Sequence, residues 1–188
     1  MAGDAEATRR RLIEAAAAEF AAYGIAGARV DRIAAAARSN KAQIYHYFGS
    51  KDGLFDAVFN ALVVRGVREV PIDATDLPEY AGRLFDSYER YPKVARLAAW
   101  YRLERLDTKQ PLELVLASYR DKISAIEQAQ RDGAVPAHWD PVDLLALVTH
   151  LAALWTANTP EFTTLLGDRS RAHRRRVVTD AVAALLAR

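Results

Sequence analysis

Asn40-Lys41-Ala42-Gln43-Ile44-Tyr45-His46-Tyr47-Phe48-Gly49-Ser50-Lys51-Asp52-Gly53-Leu54-Phe55 decides the fold of this chain. Asn40 is a good helix N-cap, because its side-chain oxygen can accept one of the backbone N–H groups that a helix start leaves unpaired. Ile44, Tyr47 and Phe48 then fall on one face of the helix it opens, and Gly49-Ser50 ends that helix. Ser50 to Gly53 starts another, with Leu54, Phe55, Val58, Phe59 and Leu62 recurring along it.

Upstream, Leu12, Ala16, Phe20 and Tyr23 predict a first helix over residues 9–23, stopped by Gly24. Val30, Ile33, Ala34 and Ala37 mark a short second helix, broken at Arg38-Ser39. Two short helices joined by a tight turn have the geometry of a helix-turn-helix. The second helix of such a unit lies in the major groove of DNA with its N-terminal residues at base edges. The residue types suit that task. Lys41 and Gln43 can donate to base or phosphate acceptors, and Tyr45 and His46 offer aromatic surface with polar tips. The helix start at Asn40 favours phosphate. Lys51 is placed for the DNA backbone on the other side, and Arg29 and Arg32 flank the start of the second helix, where they can hold the opposite strand. Tyr47, beside Phe48, fits the core as well as a DNA contact, and Arg9 to Arg11 fit a solvated helix start as well as a phosphate clamp.

Residues 9–58 resemble the DNA-binding domain of the TetR family of bacterial repressors. The features that carry the resemblance are Arg11-Leu12-Ile13-Glu14-Ala15-Ala16, Phe20, Tyr23-Gly24, Val30, Ile33-Ala34, Ala37 and the run from Ile44 to Phe55. Tyr45, Phe48, Lys51 and Leu54, each three apart, are the most diagnostic part. The resemblance implies that Tyr45 and Lys51 contact the DNA backbone. It also implies a helical regulatory domain from about residue 52 onward that binds a small ligand and dimerises, the last two long helices of two subunits forming a four-helix bundle. Two positions depart from the family. Arg38 stands in the turn where the family has Gly, and Ala28 or Arg29 replaces the Thr or Ser that caps the second helix. A positive φ at Arg38 would cost about 1 kcal/mol or slightly more.

Beyond the fourth helix, Val70 to Leu77, with Pro71, Asp73 and Asp76, reads as a loop. Pro78 suits the first turn of a fifth helix, Tyr91-Pro92 breaks it, Gln110-Pro111 opens a long helix, and Asp132-Gly133 stops that one. From Val142 to Trp155 the pattern is apolar nearly all round, so this helix needs cover on two sides, either from its own domain and a second subunit or wholly inside a monomer. Leu147, Leu151 and Leu154, with Val178, Val182 and Leu185 of the final helix, are the residues expected at a homodimer interface. Arg174 to Arg176 are expected largely on that final helix's solvated face. Tyr88, Trp100, Tyr101, Tyr119, His150 and Trp155 are candidate walls of a small-molecule pocket, although aromatics at helical spacing also serve a core. The few charges on the apolar stripes point to an uncharged or apolar effector.

Composition bounds the alternatives. The chain has 188 residues, 51% of them hydrophobic, enough to bury a core, and its sparse Gly and Pro favour helix. The absence of cysteine excludes a disulfide framework, a thiolate zinc site and a Cys nucleophile, and suits a cytoplasmic protein. No apolar run reaches the ~18 residues of a membrane span, and the N-terminus lacks the shape of a signal peptide. The net charge is only +2, yet residues 1–51 hold eight Lys or Arg against five acids, which leaves 18 against 19 of the total 26 and 24 beyond them. That asymmetry fits a first domain that meets phosphates. The four histidines form no metal-binding pair, and no phosphate loop or nucleophile elbow is present, so neither an enzyme nor a cofactor is expected. A protein-interaction module remains the rival to a regulator.

The expectation is an all-α protein of about nine helices. A helix-turn-helix domain occupies residues 1–51. A ligand-binding and dimerisation domain occupies 52–188, with 52–69 as its connecting helix. The expected function is a cytoplasmic, ligand-responsive repressor that binds a palindromic double-stranded DNA operator as a homodimer and responds to an unidentified small-molecule effector.

Overall fold

The computed structural model describes residues 2–105 and 111–187; Gln110, expected to open a helix, lies outside them. Among the described residues there are ten α-helices and no strand: α1 (Ala2–Gly27), α2 (Val30–Ala36), α3 (Lys41–Phe48), α4 (Lys51–Glu69), α5 (Leu77–Arg90), α6 (Pro92–Arg105), α7 (Glu113–Arg131), α8 (Pro141–Ala152), α9 (Pro160–Leu166) and α10 (Arg171–Leu186). A 3-10 turn at Leu154–Thr156 separates α8 from α9. The helix more than expected is α9. Thr159 caps it by accepting the Phe162 N–H, and Pro160 occupies its first turn, so Thr159-Pro160 starts a helix as well as ending one. No helix among the described residues is long and apolar enough to cross a membrane.

The chain forms two compact units. The first comprises the described residues of Met1–Arg65 and Lys93–Val115, the second those of Gly66–Pro92 and Leu116–Arg188. Leu12, Ala16 and Phe20 of α1, Ile33 and Ala34 of α2, Ile44 of α3 and Leu54, Phe55 and Val58 of α4 make the core of the first unit. Leu97 of α6 is buried among them, and Tyr101 stacks on Phe59 at 3.9 Å. The first unit therefore does not end near residue 51: a helix more than forty positions further on completes it. Gly24 explains how α6 fits. Its φ of 67° suits glycine, and a Cβ there would stand 2.9 Å from the Trp100 ring.

In the second unit, Leu77, Tyr80 and Phe85 of α5, Ile126 of α7, Leu144 and Val148 of α8, and Val178 and Val182 of α10 are all buried together. Val178 and Val182 were expected to face a second subunit. Both are 0% exposed within the chain's own core, so they are unavailable to a partner. Helix α10 lies against α5, and its arginines face that helix's acids. Arg175 reaches Glu79 at 2.6 Å and Asp86 at 2.9 Å, and Arg174 grips both oxygens of Glu89 at 2.9 and 2.7 Å. Of the three arginines expected on a solvated face, two are thus tied to a neighbouring helix. Gly82 makes the approach possible, because a Cβ there would stand 2.8 Å from the Arg175 guanidinium.

Candidate nucleic-acid interface

Helix α3 is anchored from both ends and from below. Asn40 Oδ1 accepts the Gln43 N–H at 2.9 Å, Ile44 is fully buried, and Phe48 packs partly on the first core. At its far end Gly49 takes φ 74°, and Ser50 Oγ accepts the Gly53 N–H at 2.9 Å to start α4. This anchoring leaves Lys41, Ala42, Tyr45 and His46 on the outward face, Tyr45 being 51% exposed. Ala42, absent from the sequence-derived set, shares that face; its methyl can meet the thymine methyl group. Tyr47 is half-buried, packs against the core and lies edge-on to His46 with ring centroids 5.3 Å apart, which gives it a structural task whatever else it touches.

The remaining candidates are already engaged. The Lys41 ammonium pairs with Asp31, and the Arg29 guanidinium lies 4.0 Å from the same carboxylate. The Gln43 amide oxygen accepts from Ser39 Oγ. Lys51 donates to the carbonyls of Ala26 and Ala28 at 3.3 and 3.4 Å, closing the chain end of α1. In the turn Arg38 has φ 51°, the one positive-φ residue other than glycine among those described, so the left-handed cost that the sequence left conditional applies here.

Glu19 carries no motif signal and was missed, yet it organises the start of α2. Arg29 at the N-cap makes no side-chain capping bond. Instead the Arg29 N–H donates to Glu19 Oε1 at 3.0 Å, and Arg32 Nε donates to the same oxygen at 2.7 Å. Arg32 also reaches the Gly27 carbonyl at 3.2 Å and lies 4.3 Å over the Tyr23 ring, so its side chain is spent on positioning α2. Burial pushes the Glu19 carboxyl up, but the hydrogen bonds from Arg32 and the Arg29 backbone outweigh it and hold the carboxyl below its ordinary 4.5. Only 10% of the Glu19 side chain is exposed. A carboxylate depressed in the fold contributes stability that is complete above its unfolded pKa and is lost as pH falls through the lower folded value. Glu19→Gln is expected to destabilise the protein by about 1 kcal/mol at neutral pH and to remove this component of its acid sensitivity. Urea unfolding over a pH series checks this; equal stability of both proteins at pH 7 would contradict it.

The aromatic pocket candidates are not gathered in one unit. Trp100 and Tyr101 belong to the first, against Gly24 and Phe59. Tyr88, Tyr119, His150 and Trp155 belong to the second. Tyr88 and Trp155 pack partly on its core, and Trp155 Nε1 donates to the Arg174 carbonyl at 3.2 Å. Tyr119 is about half exposed, and His150 is exposed, with Nδ1 2.7 Å from the Ala146 carbonyl. Leu147, Leu151 and Leu185 are half-buried, and Leu154 is exposed.

Known proteins share this fold. Residues 12–58 match the family model of bacterial regulatory proteins of the tetR family, and residues 76–183 match that of the tetracyclin repressor-like C-terminal domain. An HTH-type transcriptional repressor of Streptomyces coelicolor is 38% identical over 166 residues, 88% of this chain and 86% of that protein. The crystal structure of a candidate transcriptional regulator from Streptomyces coelicolor, 39% identical, superposes with a TM-score of 0.84 over 96% of this chain and 99% of that one. AibR, solved in complex with isovaleryl coenzyme A and operator DNA, shares the fold at a TM-score of 0.66 and 19% identity over 95% of this chain and 98% of its own.

Proposed function

The chain belongs to the TetR family of bacterial transcriptional regulators and is a DNA-binding regulator; from that premise we propose that it is a ligand-responsive repressor which binds a two-fold symmetric operator as a homodimer. The observation that carries the DNA half is the outward face of α3: Lys41, Ala42, Tyr45 and His46 stand clear of a helix whose Ile44 is locked in the core. One α3 enters each of two major grooves. Tyr45, Lys51 and the Asn40 end of α3 take the phosphates, and Gln43 takes a base edge. Arg29, Lys41 and Asp31 form an exposed cluster that opens when phosphate competes for the two cations. Arg32 serves by holding α2 in place.

Repression is supported by the repressor 38% identical to this chain. Dimerisation is supported by apolar surface on α8 and just beyond it: Val142 and Leu154 are exposed, and Leu147 and Leu151 only half-covered. Effector binding in the second unit shifts the balance between two arrangements of the reading heads by its differential affinity for them. The continuous helix α4, whose residues pass from the first unit into the second, carries the change.

Selection of sites from random duplex DNA, near physiological salt, tests this reading. Enrichment of a two-fold symmetric site is expected; no enrichment by the folded protein would overturn it. On the selected site, Gln43→Ala is expected to relax preference at one base position by about 1–3 kcal/mol. Lys51→Ala is expected to weaken binding to all sequences alike and to lower the salt slope by about 1. Because Lys51 also ties two carbonyls of the first unit, Lys51→Ala lowers stability as well, and affinity is to be measured where the variant is fully folded.

A further inference from the structure

Tyr80 is fully buried, yet its hydroxyl meets no hydrogen-bonding partner among the described residues. Three positions along α5, Nε of Arg83 is enclosed and unpaired as well. An unpaired buried polar group costs folding free energy, and two on one helix stripe call for a common reason. Tyr80, Arg83 and Ser87 share that stripe at i, i+3 and i+7. Arg83 and Ser87 of this stripe, though not Tyr80, line a cleft of about 410 Å³, within the usual size of a small-molecule site, together with Val70, Arg90 and Tyr91.

Of the two acids that also line the cleft, Asp86 is taken by Arg171 and Arg175, and Glu69 has an interaction of its own. Among the described residues no carboxylate forms an ion pair with Arg83, although its charge helps to lower the Asp73 carboxyl. On α7, the half-buried Lys122 ammonium lies 5.7 Å from the Tyr119 ring centroid and donates to Ser118 alone. Burial, and after it Tyr88, raise the Tyr80 hydroxyl well above the ordinary tyrosine range; Tyr119 adds to this, and Arg83 opposes it. The hydroxyl therefore stays protonated, a donor. Donors without acceptors ask for a ligand that brings the acceptor.

We propose that this part of the second unit takes the head group of the effector, and that the head group is a carboxylate, with Tyr80 Oη and Arg83 Nε donating to its oxygens and Tyr88 and Tyr119 walling its body. The inference rests on the reading of the second unit as an effector domain. It departs from the uncharged effector that the apolar stripes suggest, because Arg83 and Tyr80 acquire their burial only in the fold.

The test uses the full-length protein without DNA, so that its outcome is independent of the site selection above. Phenylacetate, 3-phenylpropionate and octanoate are titrated beside their matched amides, with melting temperature and intrinsic fluorescence as readouts. At least one carboxylate is expected to bind with its amide at least about tenfold weaker, and Tyr80→Phe and Arg83→Met each to weaken that carboxylate about tenfold. Without ligand, Tyr80→Phe is expected to melt at or above wild type, because it removes an unpaired hydroxyl. A Tyr80→Phe protein that melts well below wild type would show that the fold itself pairs the hydroxyl, and the proposal would fall. It would also fall if no carboxylate of the series bound, or none bound better than its amide.

Discussion

Gly53→Ala is expected to destabilise the first unit by about 2–3 kcal/mol and to abolish operator-selective binding. A Cβ at Gly53 would stand 2.2 Å from the Phe48 carbonyl oxygen and 3.5 Å from Ser50 Oγ. The first of these is backbone at the end of α3 and cannot swing aside as a side chain would. Either the first turn of α4 unwinds, losing the bond from Gly53 N to Ser50 Oγ, or α3 is pushed off its seat on Ile44. Both outcomes move Lys41, Tyr45 and His46 relative to the rest of the helix-turn-helix, and base readout tolerates little displacement. Gly49 supplies the control. It has φ 74° but open space around its Cβ position, so Gly49→Ala carries backbone strain alone, about 1–2 kcal/mol, and leaves α3 in register. Urea unfolding followed by circular dichroism, with affinity for the selected site, separates the two variants. A Gly53→Ala protein that folds and binds like wild type would mean that the α3–α4 junction yields more readily than its geometry states.

Phe55→Ala is expected to cost about 3–5 kcal/mol, the largest effect of any substitution considered. Its ring is fully buried, meets Phe20 edge-on at 5.2 Å, and lies nearly parallel to both Phe59 and Tyr101 at 6.4 Å. The Arg105 guanidinium stands 5.8 Å from its centroid, and Arg105 also pairs with Asp56 at 2.8 Å. One side chain therefore joins α1, α4 and α6, and its removal leaves a cavity among them. Loss of DNA binding should accompany loss of stability. Tyr101→Ala is the milder comparison: it releases α6 from the Phe59 stack but leaves Phe20 and Phe55 in contact. If Phe55→Ala cost under ~1 kcal/mol, the first core would not be organised around this ring.

Local signals made much of this protein legible before any coordinates. Asn40 caps α3, Gly24 breaks the regular course of α1, and Pro78 stands in the first turn of α5. Each of these depends on residues within a few positions, where capping, glycine conformation and helical periodicity act directly. Three of the outward residues of α3, Lys41, Tyr45 and His46, were legible for the same reason, since an eight-residue helix with Ile44 inward has only one face left; Ala42, which carries no polar group, was not.

Long-range partnerships were not legible. Glu19 is an ordinary polar residue on α1 until the fold brings the Arg29 N–H and Arg32 to it from ten and thirteen positions away. Lys51 reads as a free cation until Ala26 and Ala28 turn their carbonyls toward it. Arg174 and Arg175 look solvated until Glu89, Glu79 and Asp86 arrive from residues more than eighty positions earlier. Val178 and Val182 were assigned to a partner because periodicity shows that a helix face is apolar, never what covers it. In the same way Trp100 and Tyr101 passed for pocket walls until α6 joined the first core. The sequence by itself determined most of the helices and which side of α3 Ile44 turns inward, because these follow from backbone hydrogen bonding and side-chain spacing within a few turns. Only the tertiary structure decided which charges are engaged, which apolar faces are covered and which polar atoms stay unpaired, because burial and Coulomb attraction act between groups that the chain keeps far apart.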